Sequence, residues 1–185
     1  MKKIIAISGS LRKNSVNTFL LQEAAKLAPS GVELQIASIE DIPLYNWDIE
    51  NEQGLPDSVV ELKEKIESSS GLLISTPEFN HGIPGVLKNA FDWLSRPSAD
   101  IPKVFGNRPT GVIGAASGHF GSALAQTAWL PILQCLNARV YFEKSLHVGS
   151  SYEIFDANGN IIDSKTQKRL QNYVEGFIKF AIASS

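Results

Sequence analysis

Cysteine occurs once in this 185-residue chain, at Cys135. That excludes an intramolecular disulfide and a zinc site built from thiolates. With its place between Leu133 and Leu136 on an apolar helical stretch, the thiol is expected to be a buried hydrophobe. Histidine is also scarce: His81, His119 and His147 stand far apart in sequence, and no metal site is expected. Basic clusters are missing. The formal net charge is −2, and no Lys/Arg block is longer than Lys2-Lys3, so a nucleic-acid partner is excluded. No apolar run is long enough to span a bilayer. Lys2-Lys3 followed by an apolar run over 4–7 begins like a signal peptide, but the run stops at Ser8-Gly9-Ser10, well short of a signal h-region. A cytoplasmic protein without a membrane partner is expected.

What remains is ordinary globular material. Hydrophobic residues make up 43% and charged residues 19%, enough for one buried core. No repeat, low-complexity tract or linker interrupts the chain, so residues 1–185 are expected to form one domain. Short apolar segments bounded by turn residues lie at 4–7, 32–36, 72–74 and 110–113, with a weaker β-rich one at 139–142. Helical spacing fills the gaps. Leu20, Leu21, Ala24, Leu27 and Ala28 share a face, as do Val59, Leu62 and Ile66, then Val86, Leu87, Ala90, Phe91 and Leu94. Leu170, Tyr173, Val174, Phe177, Ile178 and Ala181 complete the clearest amphipathic helix. Pro131 should kink or divide the helix before it. The stretches 41–56 and 147–163 read as long loops.

Strands alternating with helices imply parallel βαβ units and a sheet covered on both faces. The expectation is a flavodoxin-like three-layer α/β/α sandwich, with a five-stranded parallel sheet in the order 2-1-3-4-5. Such sheets bind ligands beyond the carboxyl ends of their strands, where the order switches direction.

Three loops leave that edge. The first, after strand one, is Ser8-Gly9-Ser10-Leu11-Arg12-Lys13-Asn14-Ser15-Val16-Asn17-Thr18. It opens a helix, whose free N–H groups and partial positive charge suit a phosphate. Hydroxyls, an amide and two cations add the donors a phosphate monoester needs. A plain Ser/Asn helix cap is the alternative, and the density of donors at this position favours phosphate. The loop is neither a Walker loop nor a GxGxxG turn. The second loop, Thr76-Pro77-Glu78-Phe79-Asn80-His81-Gly82-Ile83-Pro84-Gly85, has a backbone rigid enough to read the edge of a flat heterocycle, with Phe79 as a surface. The third, Ala115-Ala116-Ser117-Gly118-His119-Phe120-Gly121-Ser122, is small enough to admit a ring.

Together these residues resemble the NAD(P)H-dependent FMN reductases, the family of quinone, chromate and azo-dye reductases. Gly9-Ser10-Leu11-Arg12 with Ser15 and Asn17 is similar to the family's GSLRxxSxN loop. Thr76-Pro77-Glu78-Phe79-Asn80, Ile83-Pro84-Gly85 and Leu87-Lys88-Asn89-Ala90-Phe91-Asp92-Trp93 resemble its TPEYNxxxPxxLKNAxDW stretch. The resemblance implies that Ser10, Arg12, Ser15, Asn17 and Thr18 hold the FMN phosphate. It implies that Pro77, Glu78, Phe79 and Asn80 line the isoalloxazine, and that Ser117, Gly118 and Gly121 complete the pocket. It implies NADPH or NADH as co-substrate, hydride chemistry at flavin N5 with no catalytic side chain, and a ping-pong cycle. The acceptor would be a small molecule: a quinone, free flavin, an azo or nitro compound, or chromate. Arg12 is a candidate for dual duty on an FMN or an NADPH phosphate. His81 and His119 lie in pocket loops, where solvated polar roles are the commoner outcome.

Three departures from the family pattern stand out. Phe79 replaces a Tyr, Leu124 stands where an Arg is usual, and Pro131 replaces a residue that is often basic. The resemblance further implies a homodimer or homotetramer. The third and fourth helices are expected at the contact, with Tyr45, Trp47, Trp93, Phe120 and Trp129 in or near the rim. Tyr45 and Trp47 would cover a neighbour's flavin or pack within the protomer. Two rivals share the cofactor: an FMN-binding electron carrier, usually far more acidic, and a redox sensor with little turnover. A signalling receiver domain is excluded, since Ser8 and Thr76-Pro77 occupy the places of its acidic residues.

Overall fold

The computed structural model describes residues 1–183. Strand β1 (Lys2–Ser8) leads through α1 (Val16–Lys26) to β2 (Val32–Ala37). Helices α2 (Trp47–Gln53) and α3 (Asp57–Glu67) then precede β3 (Gly71–Ser75). Helix α4 (Gly85–Leu94), a 3-10 turn (Ser98–Asp100) and the short α5 (Ile101–Val104) lead to β4 (Pro109–Ala115). After α6 (Ala123–Cys135) come β5 (Arg139–Val140), β6 (His147–Val148), α7 (Ser151–Ile154) and α8 (Ser164–Ile182). The strand pairs are parallel and follow the order β2-β1-β3-β4-β5, as the alternating pattern predicts. The switch of direction falls between β1 and β3, which places the loops after both at one edge.

Strand periodicity sorts the core into two layers. Ile4 and Ala6 of β1 face a cluster built with α1 and α8, while Ile5 and Ile7 face α3, α4 and α6. Residues alternate across a strand with period two, so adjacent isoleucines serve opposite cores. All of them are buried, which explains why β1 reads as an unbroken apolar run.

Four expectations change. The stretch 41–56 carries α2, capped by Asn46, whose side-chain oxygen accepts from the Asp48 N–H at 2.9 Å. The Arg96 Nε–Glu50 Oε2 ion pair at 2.9 Å fastens it to the chain after α4. The stretch 147–163 contributes β6, which pairs with Gly114 and Ala115 where β5 has left the edge of β4, and then α7. Pro131 does not divide its helix: α6 runs as one element through it. Pro131 is exposed, so the carbonyl it fails to serve lies on the solvent side. Cys135 is exposed, because Trp129, Leu133 and Leu136 make the buried stripe and Cys135 is rotated about 100° from Leu136.

Nor are Trp93 and Trp129 rim residues. Both are completely buried. The Trp93 indole donates to the Pro43 carbonyl at 2.9 Å and meets Tyr45 edge-on at 4.9 Å. Trp129 packs on Phe91, with centroids 4.6 Å apart. Tyr45 therefore belongs to its own protomer's core. Trp47 and Phe120 remain exposed.

Candidate active site

The three loops converge at the carboxyl edge on an open cleft of about 510 Å³, counted to its mouth. Ser10, Arg12, Ser15 and Val16 form one end, Pro77, Glu78 and Phe79 one wall, and Ala115, Ala116 and Ser117 the other. Of the residues expected from sequence, Ser10, Arg12, Ser15, Asn17, Pro77, Glu78, Phe79 and Ser117 line it, while Thr18, Asn80, Gly118 and Gly121 do not.

Helix physics builds the first end. Ser15 caps α1 in extended conformation, its hydroxyl accepting from the Asn17 N–H at 3.2 Å. A helix start leaves several N–H groups without an intrahelical partner, and one side-chain cap serves only one. Ser10 Oγ accepts from the Arg12 N–H at 3.4 Å, which curls the loop. The Arg12 guanidinium reaches only the Asn14 carbonyl, at 3.3 Å. Arg12 and Lys13 have no carboxylate within ion-pairing distance among the described residues. Of the two, Arg12 lines the cleft, and an unpaired cation beside a helix N-terminus suits an anion.

Asn17 lines the cleft and also has a structural duty. It is buried at 1% exposure, and its amide is bonded inside the protein. Nδ2 donates to the Ala115 carbonyl at 2.9 Å. Oδ1 accepts from the Ala115 N–H at 3.0 Å and the Ser75 hydroxyl at 2.9 Å. It ties α1 to the ends of β3 and β4 and leaves only the second Nδ2 hydrogen for a ligand. Thr18 is turned away, its hydroxyl donating to Ser8 Oγ at 2.9 Å.

The second loop is tighter than its prolines suggest. Phe79 and Gly82 exchange backbone hydrogen bonds of 3.2 and 2.9 Å around Asn80 and His81, which sit at φ 50° and 60°. Two successive left-handed residues make a type I′ reversal, a conformation Asn tolerates well. Asn80 is thus a turn residue outside the cleft, and His81 is exposed beside it. The reversal leaves Phe79 at the cleft, 59% exposed. Glu78 reaches across to α6, where its Oε2 accepts from the N–H groups of Leu124 and Ala125, at 2.9 and 3.0 Å. Ser122 makes no side-chain cap at the start of that helix. Glu78 supplies one from the opposite side of the cleft, and its charge suits the positive end of the helix.

The third loop turns sharply at Gly121, at φ +63°, where a Cβ would lie 2.9 Å from the Val148 backbone N. Gly121 is buried structure and not a cleft wall. At Gly118 a Cβ would meet nothing within 4 Å, so packing inside the protein does not demand a glycine there. Sequence reasoning missed Ser151 and Tyr152, which close the far side from α7. They arrive there because Ser151 N–H donates to the Ala116 carbonyl at 3.2 Å and Ser150 N–H to that of Gly118 at 3.2 Å. His119 Nδ1 lies 3.2 Å from Ser150 Oγ, away from the cleft lining. Burial holds His147 below the usual imidazole range, and the Arg169 charge adds to that.

The sequence model of the NADPH-dependent FMN reductases matches residues 2–153. The chain is 38% identical over 173 residues to an NAD(P)H-dependent FMN reductase of Pseudomonas aeruginosa, covering 94% of this chain and 91% of that protein. It is 36% identical to a 2-hydroxy-1,4-benzoquinone reductase of a Burkholderia species, covering 95% and 93%. The solved structure of FerB, a flavoenzyme NAD(P)H:(acceptor) oxidoreductase from Paracoccus denitrificans, superposes with a TM-score of 0.88 at 34% identity, covering 99% of this chain and 98% of that one.

Proposed function

The chain belongs to the NADPH-dependent FMN reductase family, and from that premise we propose that its carboxyl-edge cleft holds one FMN with the phosphate at the first loop. It is an enzyme, an NAD(P)H-dependent flavin oxidoreductase. The observation that carries the placement is the Arg12 guanidinium, free of any carboxylate, at the cleft beside the helix start capped by Ser15. Ser10, Arg12, Ser15 and the first-turn N–H groups of α1 would take the phosphate. Asn17 would hold the loop against Ala115 and offer the ligand only its second Nδ2 hydrogen. Pro77, Glu78 and Phe79 would flank the ring on one side and Ser117 on the other, with Tyr152 at the mouth.

Bound there, FMN supplies the two-electron chemistry that links the nicotinamide donor to an acceptor. The protein's part would be to position the ring, with the exposed Phe79 beside it, and to leave one face open to the nicotinamide. No nucleophile or general base is required for that chemistry. Quinones are the acceptor class we favour, in keeping with the quinone reductases among the relatives. Free flavin, azo and nitro compounds and chromate are further candidates. In this reading residues 1–185 act as one FMN-binding unit in the cytoplasm, assembled as a homodimer or homotetramer. No helix of the described residues is long and apolar enough to cross a membrane.

The test is anaerobic mixing of the FMN-loaded protein with NADH and with NADPH, followed by a quinone. Bleaching of the flavin band by at least one nucleotide, and its return on adding quinone, is expected. A flavin that neither nucleotide reduces would overturn the proposal.

A further inference from the structure

A second hollow opens on the other side of the phosphate loop, at the carboxyl ends of β1 and β2. It measures about 830 Å³ counted to its mouth, and Ser10 and Arg12 line both it and the flavin cleft. Lys13, Ser38 and Glu40 line this hollow and not the cleft. Lys13 makes no hydrogen bond or ion pair with any described residue, so it is a cation beyond what the flavin phosphate occupies. Glu40 is held at its backbone, where its N–H donates to Ser38 Oγ at 3.1 Å. Its carboxylate has no cationic partner among the described residues, although two cations line the same hollow.

Two cations suit a pyrophosphate, and a free carboxylate accepts both hydrogen bonds of a ribose diol. Exposed Leu11 adds apolar surface to the same hollow. We propose that this hollow takes the adenosine diphosphate half of the pyridine dinucleotide, with Arg12 shared between the two sites. The pyrophosphate lies on Arg12 and Lys13, and the diol of the adenosine ribose on Glu40. A 2′-phosphate at that position would meet the Glu40 carboxylate, so NADH is preferred to NADPH. The inference rests on the proposed function, because the dinucleotide is the donor that the adjoining cleft consumes.

The experiment is calorimetric titration of the FMN-loaded protein with ADP-ribose and with adenosine 2′,5′-bisphosphate. Wild-type protein should bind ADP-ribose more tightly. Lys13→Ala should weaken ADP-ribose about tenfold without changing FMN affinity. Glu40→Gln should weaken ADP-ribose and strengthen the 2′,5′-bisphosphate several-fold, reversing the preference. Both residues are exposed, so both variants should fold as wild type. Absence of ADP-ribose binding, or identical binding in both variants, would overturn the inference while leaving the flavin reading intact. Wild-type protein that retains no FMN, seen in its absorbance before any nucleotide is added, would overturn both.

Discussion

At the scale of single residues, Arg12 and Asn17 lie five positions apart in one motif and have opposite duties. Arg12 is exposed and reaches only a neighbouring carbonyl; its charge is available to a ligand. Asn17 satisfies both backbone groups of Ala115 and the Ser75 hydroxyl in the interior. Removing its amide would strand three buried polar groups, a loss of about 3 kcal/mol and a fall in Tm of roughly 6–12 °C for a chain of this size. Thermal unfolding of the apo-proteins should therefore show a large drop for Asn17→Ala and almost none for Arg12→Ala. FMN affinity should fall about tenfold in Arg12→Ala. Equal Tm values for the two variants would refute this division. The motif could be read from sequence, but the direction of Asn17 could not. Its partner lies 98 residues away, and Asn can cap a helix, bind a phosphate or bridge strands equally well. Asn80 is a similar case, since only the backbone angles show that it makes a turn.

Among the elements, those with strong apolar periodicity were legible and those without it were not. β1, β3 and β4 are buried runs, and α8 carries an unbroken stripe from Leu170 to Ala181. By contrast α2 reads Trp-Asp-Ile-Glu-Asn-Glu-Gln and buries no residue fully. It is held by a cap and an ion pair that periodicity cannot reveal. β6 is two residues long, too short for any pattern, and without it the approach of Tyr152 to the cleft is invisible. The relation of Glu78 to α6 is also tertiary. Its carboxylate caps that helix, so Glu78 ties the second loop to the start of α6. Glu78→Ala should cost about 1–2 kcal/mol in stability, as loss of an N-cap does, and should weaken FMN. Glu78→Gln keeps an acceptor oxygen and should lose less of both. Urea denaturation of apo-protein alongside FMN titration checks this; an alanine variant as stable as wild type would contradict the capping role.

Across the whole molecule, sheet order and the position of the cleft follow from the alternation of elements and the switch between β1 and β3. Assembly does not follow from the sequence in the same way. Two of the five rings expected at a rim, Trp93 and Trp129, are core, and Tyr45 packs edge-on against Trp93. Trp47, Phe120 and Leu124 remain exposed apolar groups, at 58%, 86% and 49%, and the proposed assembly would cover them. Sedimentation equilibrium at micromolar concentration should give a dimer or tetramer mass; a monomer with full NAD(P)H oxidation would contradict it. The central claim is narrower: FMN is held through its phosphate at the loop from Ser10 to Val16. Calorimetric titration of the apo-protein with FMN and riboflavin tests it most directly. One FMN per chain should bind, and riboflavin should bind far more weakly because it leaves Arg12 and the first-turn N–H groups of α1 without an anion. Equal affinities for FMN and riboflavin would show that the phosphate is not held at this loop.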